Sequence, residues 1–330
     1  KNMFAAKEFQ NEEEYYKGKL GEKVGMTDPK SLTRNWTAGI DVYDISNPSN
    51  PKKIGFMNVE GGGVHRIWYV GGQWAYASAL LDGFTDYIFI IIDMSDPTKP
   101  KEVGRFWLPG MNVAAGETMS QNQARAGLHH PIINGDTAYL AWRDAGLVIM
   151  DIKDKNNPEL IVHRNWSPPF GGGTHNALPL PNRDLLVVLD EAVLDNCADG
   201  TKHIWIFDIR VPSNPISIAT LPIPEDFDYK NKGAHFGPHN IHENRPDGMI
   251  SENLIFATQQ NAGVRVYDIS NEYQPKEVAA FVPPKPKKLM DRRPNRKNII
   301  QSADIWVSKE GLAYVSDYNA GLYILEYEGN

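Results

Sequence analysis

The sequence predicts an all-β propeller of four-stranded antiparallel blades, and three observations carry that prediction. Short apolar strand runs recur along nearly the whole chain, most of them closing on an aspartate and running into a Pro/Asn turn. The aspartates at 44, 93, 151, 208 and 268 mark a period of about 50–60 residues with no helical pattern between them. A Gly-x-His unit also appears four times, as Gly63-Val64-His65-Arg66, Gly127-Leu128-His129-His130, Gly173-Thr174-His175-Asn176 and Gly237-Pro238-His239-Asn240. Each copy sits where a loop ends and a new strand run begins.

Taken in order, residues 1–34 are the least repeat-like stretch. Residues 5–19 are rich in charge and in helix formers, so an exposed helix or irregular excursion is expected there. From Asn35 the repeats begin. Six runs share one form: DVYDIS ending at Ser46, IFIIIDMS at Ser95, LVIMDIK at Lys153, WIFDIR at Arg210, VRVYDIS at Ser270 and LYILEY at Tyr327. Five of them lead into a further strand, as in KEVGRFWL after DPTKP, and five follow a hairpin pair such as HRIWYVGGQWAYAS. Four short antiparallel strands per unit, without helices, describe a propeller blade. With the strands lettered a to d from the axis outward, the first unit has only c and d, and the last only a, b and c. Six blades are countable, and residues 1–330 are expected to form one propeller domain. The missing inner strands leave room for a seventh blade upstream in the natural protein.

The runs Leu147-Val148-Ile149-Met150-Asp151 and Pro100-Lys101-Glu102-Val103-Gly104 resemble the LVIVD-repeat propellers, whose hallmark is such a strand followed by a Pro-rich turn and a P-x-x-V-G strand. The resemblance covers nearly everything from Asn35 to Tyr327. It implies the fold and says little about activity, because members of that family are mostly uncharacterised.

Composition narrows the function classes. The net charge of −7 and the pI near 5.7 argue against nucleic acid as a partner. The single cysteine, Cys197, excludes an internal disulfide and any Cys-based metal motif. No apolar run approaches the ~20 residues a bilayer span needs, and no signal-like start is present, so a soluble chain is expected. The compartment is left open: the cytoplasm is favoured, with the periplasm or secretion open if an upstream segment is missing, and the sequons at Asn35 and Asn165 matter only then. Oligomeric state is left open.

In a propeller the d–a and b–c loops share one face, and here the long loops fall on it: residues 110–126, 223–236 and 283–300 are d–a loops, and 192–202 is a b–c loop. Long loops gathered on one face build a binding site or lid. His65, His129, His175 and His239 should ring the axis on that face, joined by Asp304, which we place in the histidine slot of the last blade. His130 and His242 are further candidate ligands. The b–c ends supply a second ring of Arg143 and Asp144, Asp190 and Glu191, Gln259 and Gln260, and Asp317 and Tyr318.

Neutral imidazoles suit Fe, Cu, Zn, Ni or Mn, and three or four of them hold an ion at ~2.0–2.2 Å with a position left for substrate. A divalent transition metal (Fe, Zn, Mn or Cu) is therefore the expected cofactor and a small organic molecule the expected partner. Asp190, Glu191 and Tyr318 are candidates for proton transfer in a hydrolase or lyase. Arg143 and the basic 285–297 loop could hold a carboxylate, and Asp144, a b–c turn residue, is a further catalytic candidate. An oxygenase or oxidase built on the same histidines is a second reading. The third is a protein-binding scaffold in which repeat duplication alone explains the histidines, with Phe227, Tyr229 and Phe236 as its loop aromatics. His163 and His203 fall off the axis and His235 is undecided. Asp195, Asn196 and Asp199 resemble a calcium loop only loosely.

Overall fold

The alternating apolar runs fold into antiparallel sheets in a propeller arrangement. The computed structural model describes residues 37–118, 125–290 and 297–329. The expected excursion at 1–34 and the Asn35 sequon lie outside the described residues, as do the middles of the 110–126 and 283–300 loops.

Among the described residues six sheets follow one another. The first pairs β1 (Gly39–Asp44) with β2 (Lys52–Asn58). The second runs β3 (Gly61–Trp68), β4 (Trp74–Leu81), β5 (Ile88–Asp93) and β6 (Lys101–Phe106). The third holds β7 (His130–Asn134), β8 (Thr137–Ala141), β9 (Leu147–Asp151) and β10 (Glu159–Arg164). The fourth holds β11 (Thr174–Leu180), β12 (Leu185–Asp190), β13 (Ile204–Asp208) and β14 (Ile216–Thr220). The fifth has β15 (Leu254–Thr258), β16 (Val264–Asp268) and β17 (Lys276–Phe281), and the sixth β18 (Ser302–Val307), β19 (Leu312–Asp317) and β20 (Gly321–Glu326). The first and last sheets have two and three strands, as the sequence predicts.

The fifth sheet differs from expectation in its innermost strand. Residues 239–242 run beside β15, with His239 N–H donating to Thr258 O at 3.0 Å and His242 N–H to Phe256 O at 2.9 Å. Pro238 removes a donor at the start, and the Thr258 hydroxyl takes up Asn240 N–H at 3.0 Å, so no regular strand forms. Among the described residues, five inner segments thus surround the axis: β3, β7, β11, residues 239–242 and β18. An ion pair between Arg66 of β3 and Asp304 of β18, at 3.2 Å, joins the last of them to the first. The β1–β2 sheet leans on β3 and, among the described residues, adds no inner strand.

The repeated aspartate proves to be turn chemistry. Asp44, Asp93, Asp151, Asp208 and Asp268 each accept the backbone N–H two residues on, at 2.8–2.9 Å. That bond fixes the sharp exit from each c strand. The c strands β5, β9, β13 and β16 are covered on both faces by neighbouring blades, with Ile88 to Ile92 wholly buried. Each such side chain contributes about 1.5–3 kcal/mol relative to leaving it in water. β20 has the same apolar composition but exposes Leu322 and Ile324, because no described residue packs on that face.

Candidate metal centre

The four Gly-x-His units turn the chain onto the axis by two backbone devices. Gly63, Gly173 and Gly237 take positive φ (105°, 85° and 133°), where a side chain is strained. Gly127 does not, but a Cβ there would lie 2.2 Å from Asp86. Each His65 and His175 is then the unpaired residue of a β-bulge, between Val64 and Arg66 and between Thr174 and Asn176. A bulge re-aims one side chain out of the ladder. Here it sends the imidazole inward.

The four imidazoles meet. His65 Nε2 lies 2.9 Å from His129 Nε2, the rings of His129 and His175 are stacked, and the centroids of His175 and His239 are 4.7 Å apart. Glu191 completes the cluster: Oε2 is 3.3 Å from His175 Nε2 and Oε1 is 3.2 Å from His239 Nε2. Arg143 Nη1 stands 3.8 Å behind Glu191, and the Tyr318 hydroxyl is 3.2 Å from His239 Nε2.

The outward nitrogens decide what the inward ones can do. His129 Nδ1 faces the carbonyl of His175 at 2.9 Å, and His239 Nδ1 faces that of Ala303 at 2.5 Å. A carbonyl only accepts, so both Nδ1 atoms carry the proton. His175 Nδ1 faces Asn176 Oδ1 at 3.1 Å; the Asn176 amide donates to Glu243 Oε1 at 3.3 Å, which orients its oxygen toward the histidine. Three imidazoles therefore present a bare Nε2 lone pair to the axis, the tautomer fixed by a distal hydrogen bond that metal-ligating histidines have. Two ligands at ~2.1 Å from one ion, at a right angle to each other, are about 3.0 Å apart, which matches the contacts above. His175, Glu191 and His239 place their donor atoms within 4.8 Å of one another.

Partial burial, then the charges of Arg143 and Arg66, hold the His65 imidazole down to about 3, although the residue is open to solvent on one side. Burial likewise holds His129 and His175 well below the usual histidine range, so all three are neutral bases at pH 7. Burial opposes ionisation of Glu191; positive charge on His175, a proton donated by His239 and the Arg143 guanidinium favour it and draw the carboxyl well below its usual range, the part that a cation takes when the imidazoles are neutral. The cluster is a buried anion among lone pairs, the donor set of a cation site.

Several expected members are placed elsewhere. Asp304 does not join the histidines: a bulge leaves Ala303, not Asp304, in the slot equivalent to His175, and Asp304 turns to Arg66. His242 is a latch between sheets, its Nδ1 accepting Val307 N–H at 3.1 Å and its Nε2–H donating to Met249 O at 2.8 Å. Neither nitrogen is left for a metal. His130 lies one layer further along the axis, with Nε2 2.7 Å from Glu243. Asp190 is held by the indoles of Trp166 (2.9 Å) and Trp205 (2.7 Å) and by the Thr174 hydroxyl (2.8 Å), so its carboxylate faces the blade interior. Asp144 accepts Gly173 N–H at 2.9 Å and thereby braces the turn before His175. Gln259 and Gln260 bond to Tyr267 and to the Ala192 carbonyl. Asp199 pairs with Lys202 and caps Val193 N–H, and His163 donates to Ala145 O.

A further layer lies beside the centre: Arg66, His130, Asn176 and Glu243, with Arg245 2.9 Å from Glu243; of these the sequence reading singled out only His130. The available signal was the residue after each inward histidine, which is polar in all four units although it enters a buried strand.

Comparison with known proteins agrees with this architecture. The LVIVD repeat model matches residues 35–59, 62–107, 132–164 and 301–326, so the chain carries LVIVD repeats. No curated protein matches. The crystal structure of the Cps50 (Swd1) β-propeller domain of Myceliophteria thermophila is similar with a TM-score of 0.57 at 12% identity, over 88% of this chain and 77% of that one. That of Sqt1 from Saccharomyces cerevisiae gives 0.53 at 7% identity, over 88% of this chain and 65% of that one. Both likenesses are of fold alone.

Proposed function

We propose that this chain is a metal-dependent enzyme, of hydrolase or lyase type, acting on a small organic substrate at the axial cluster. One observation carries the reading: the imidazoles of His175 and His239, locked by their Nδ1 hydrogen bonds, direct bare Nε2 atoms at the Glu191 carboxyl, and the three donors lie within 4.8 Å of one another. Repeat duplication explains four histidines, but it does not explain convergence on a carboxylate. In this reading His65, His129, His175, His239 and Glu191 hold a divalent transition metal, which supplies a Lewis acid that polarises a carbonyl or lowers the pKa of water. Arg143 orients Glu191 and brings positive charge to a carboxylate-bearing substrate. Tyr318, 45% exposed, stands at the solvent side, where a proton is exchanged. Asp190 is dropped from proton transfer because its oxygens are committed to Trp166, Trp205 and Thr174.

A second reading, an oxygenase or oxidase, is favoured by one feature: four imidazoles against one carboxylate suit iron or copper. A protein-binding scaffold has less support. Of its three loop aromatics, Tyr229 and Phe236 are buried and only Phe227 is exposed. Metal analysis of the purified protein and of the His129→Ala/His175→Ala double variant tests the proposal. The wild type is expected to carry about one equivalent that the folded double variant lacks, and iron or copper in place of zinc or manganese would select the second reading. A wild type that takes up no metal after incubation with each of these ions would end it.

A further inference from the structure

We propose that Tyr318 is itself a ligand of the axial metal, entering as the oxygen donor of the last blade. The proposal rests on the metal reading above and adds to it a residue, a donor type and a spectroscopic signature.

The argument begins with register. Thr174 pairs with Asp190 across β11 and β12, and Ser302 pairs with Asp317 across β18 and β19, each just before a bulge. Glu191 and Tyr318 are the next residues after those aspartates, so the two occupy equivalent places in their blades. The aspartates themselves do equivalent work. Asp190 accepts from Thr174 Oγ, and Asp317 accepts from the Ser302 hydroxyl and from Gln301 N–H, both inside the blade. The following side chain is the one released to the axis. In the last blade the inner strand has Ala303 where the others have histidine, so Tyr318 is the group that this blade offers the centre.

The distances are those of paired ligands. Glu191 Oε1 and the Tyr318 hydroxyl both lie 3.2 Å from His239 Nε2. His239 Nδ1 carries the proton because it faces the Ala303 carbonyl. Its Nε2 then has one lone pair, which serves either the Tyr318 proton or a metal, not both. Once a metal takes Nε2, the phenol oxygen stays at the separation of about 3 Å expected for neighbouring ligands. Coordination there would break the O–H bond, release the proton to solvent on the exposed side of the ring and leave the oxygen lone pair for the ion.

Copper(II) is the probe, because a nitrogen and oxygen site binds it most tightly among the divalent first-row ions and because a phenolate on copper(II) absorbs in the visible. One equivalent of copper(II) is added to metal-free wild type and to Tyr318→Phe, and absorption, resonance Raman and bound copper are recorded. The wild type should show the charge-transfer band with tyrosine ring modes enhanced. Tyr318→Phe should lose the band completely, still bind copper, and bind it about tenfold or more weakly. If both proteins bind copper and neither shows the band, or both keep it, Tyr318 is not a ligand and the histidine centre stands. If neither binds copper, the centre and this proposal fail together. Near-ultraviolet circular dichroism checks that the variant is folded.

Discussion

A histidine nitrogen offers either one proton or one lone pair, and what surrounds each ring decides which. His239 and His242 are three residues apart on one inner segment and have opposite duties. His239 spends its proton on the Ala303 carbonyl and keeps Nε2 for the axis, whereas His242 spends both nitrogens on backbone at Val307 and Met249. His242→Ala should therefore cost on the order of 1–3 kcal/mol, the desolvation penalty of groups left unpaired, and leave metal content unchanged. Chemical unfolding and metal analysis on the same preparation check this, and loss of metal from a stable variant would return His242 to the ligand set. The sequence could not separate the two histidines, because the partner of His242 lies in the next blade, 65 positions on. The same limit applied to Asp190 and Glu191. Adjacent acids at a strand end look alike until the indoles of Trp166 and Trp205 claim one of them.

At the scale of elements, the centre depends on how loops deliver the inner strands. The turn before β11 is held by Lys202, whose buried ammonium donates to Gly171 O at 2.7 Å and Gly172 O at 2.9 Å, and by Asp144 on Gly173 N–H. Lys202→Met keeps the stem and removes those donors. We expect it to weaken metal binding about 10–100-fold, as losses of outer support do, while Asp144 still holds the turn. A metal titration checks this, and an unchanged affinity would show that the bulge alone sets His175. Gly173→Ala is harsher, since φ is 85° and the new Cβ would meet Glu191 O at 2.8 Å. It should destabilise by about 1–3 kcal/mol, read as a lowered unfolding midpoint. Blades, turns and the inner face were legible from period and punctuation, because strand alternation and Asx turns are local. The bulge was not. One extra residue at Ala303 moved Asp304 out of the expected slot, and only pairing with β19 reveals it.

For the whole molecule, what must hold is the ring of inner strands, and Glu243 ties much of it. It contacts His130 of β7, Asn176 of β11 and Arg245, whose guanidinium stacks 4.4 Å over Trp68 of β3. Burial opposes its ionisation, but His130, Arg245 and Arg66 outweigh that and hold the carboxyl down to about 2 from an ordinary 4.5. A carboxyl depressed in the folded state stabilises above its unfolded pKa and loses that contribution as pH falls through the folded one. The window therefore runs from about 4.5 down to about 2, and a shift of this size corresponds to on the order of 3 kcal/mol. Glu243→Gln cannot titrate. It should be less stable than the wild type at pH 7, where it leaves His130 and Arg245 without their anion, and the gap should close as pH falls through that window. His65, depressed by burial, loses stability in the same direction but equally in both proteins, so the difference isolates Glu243. Unfolding free energies of the pair from pH 7 to pH 3 decide the point: converging curves place the acid-labile tie at the axis, and parallel ones would move it elsewhere in the ring.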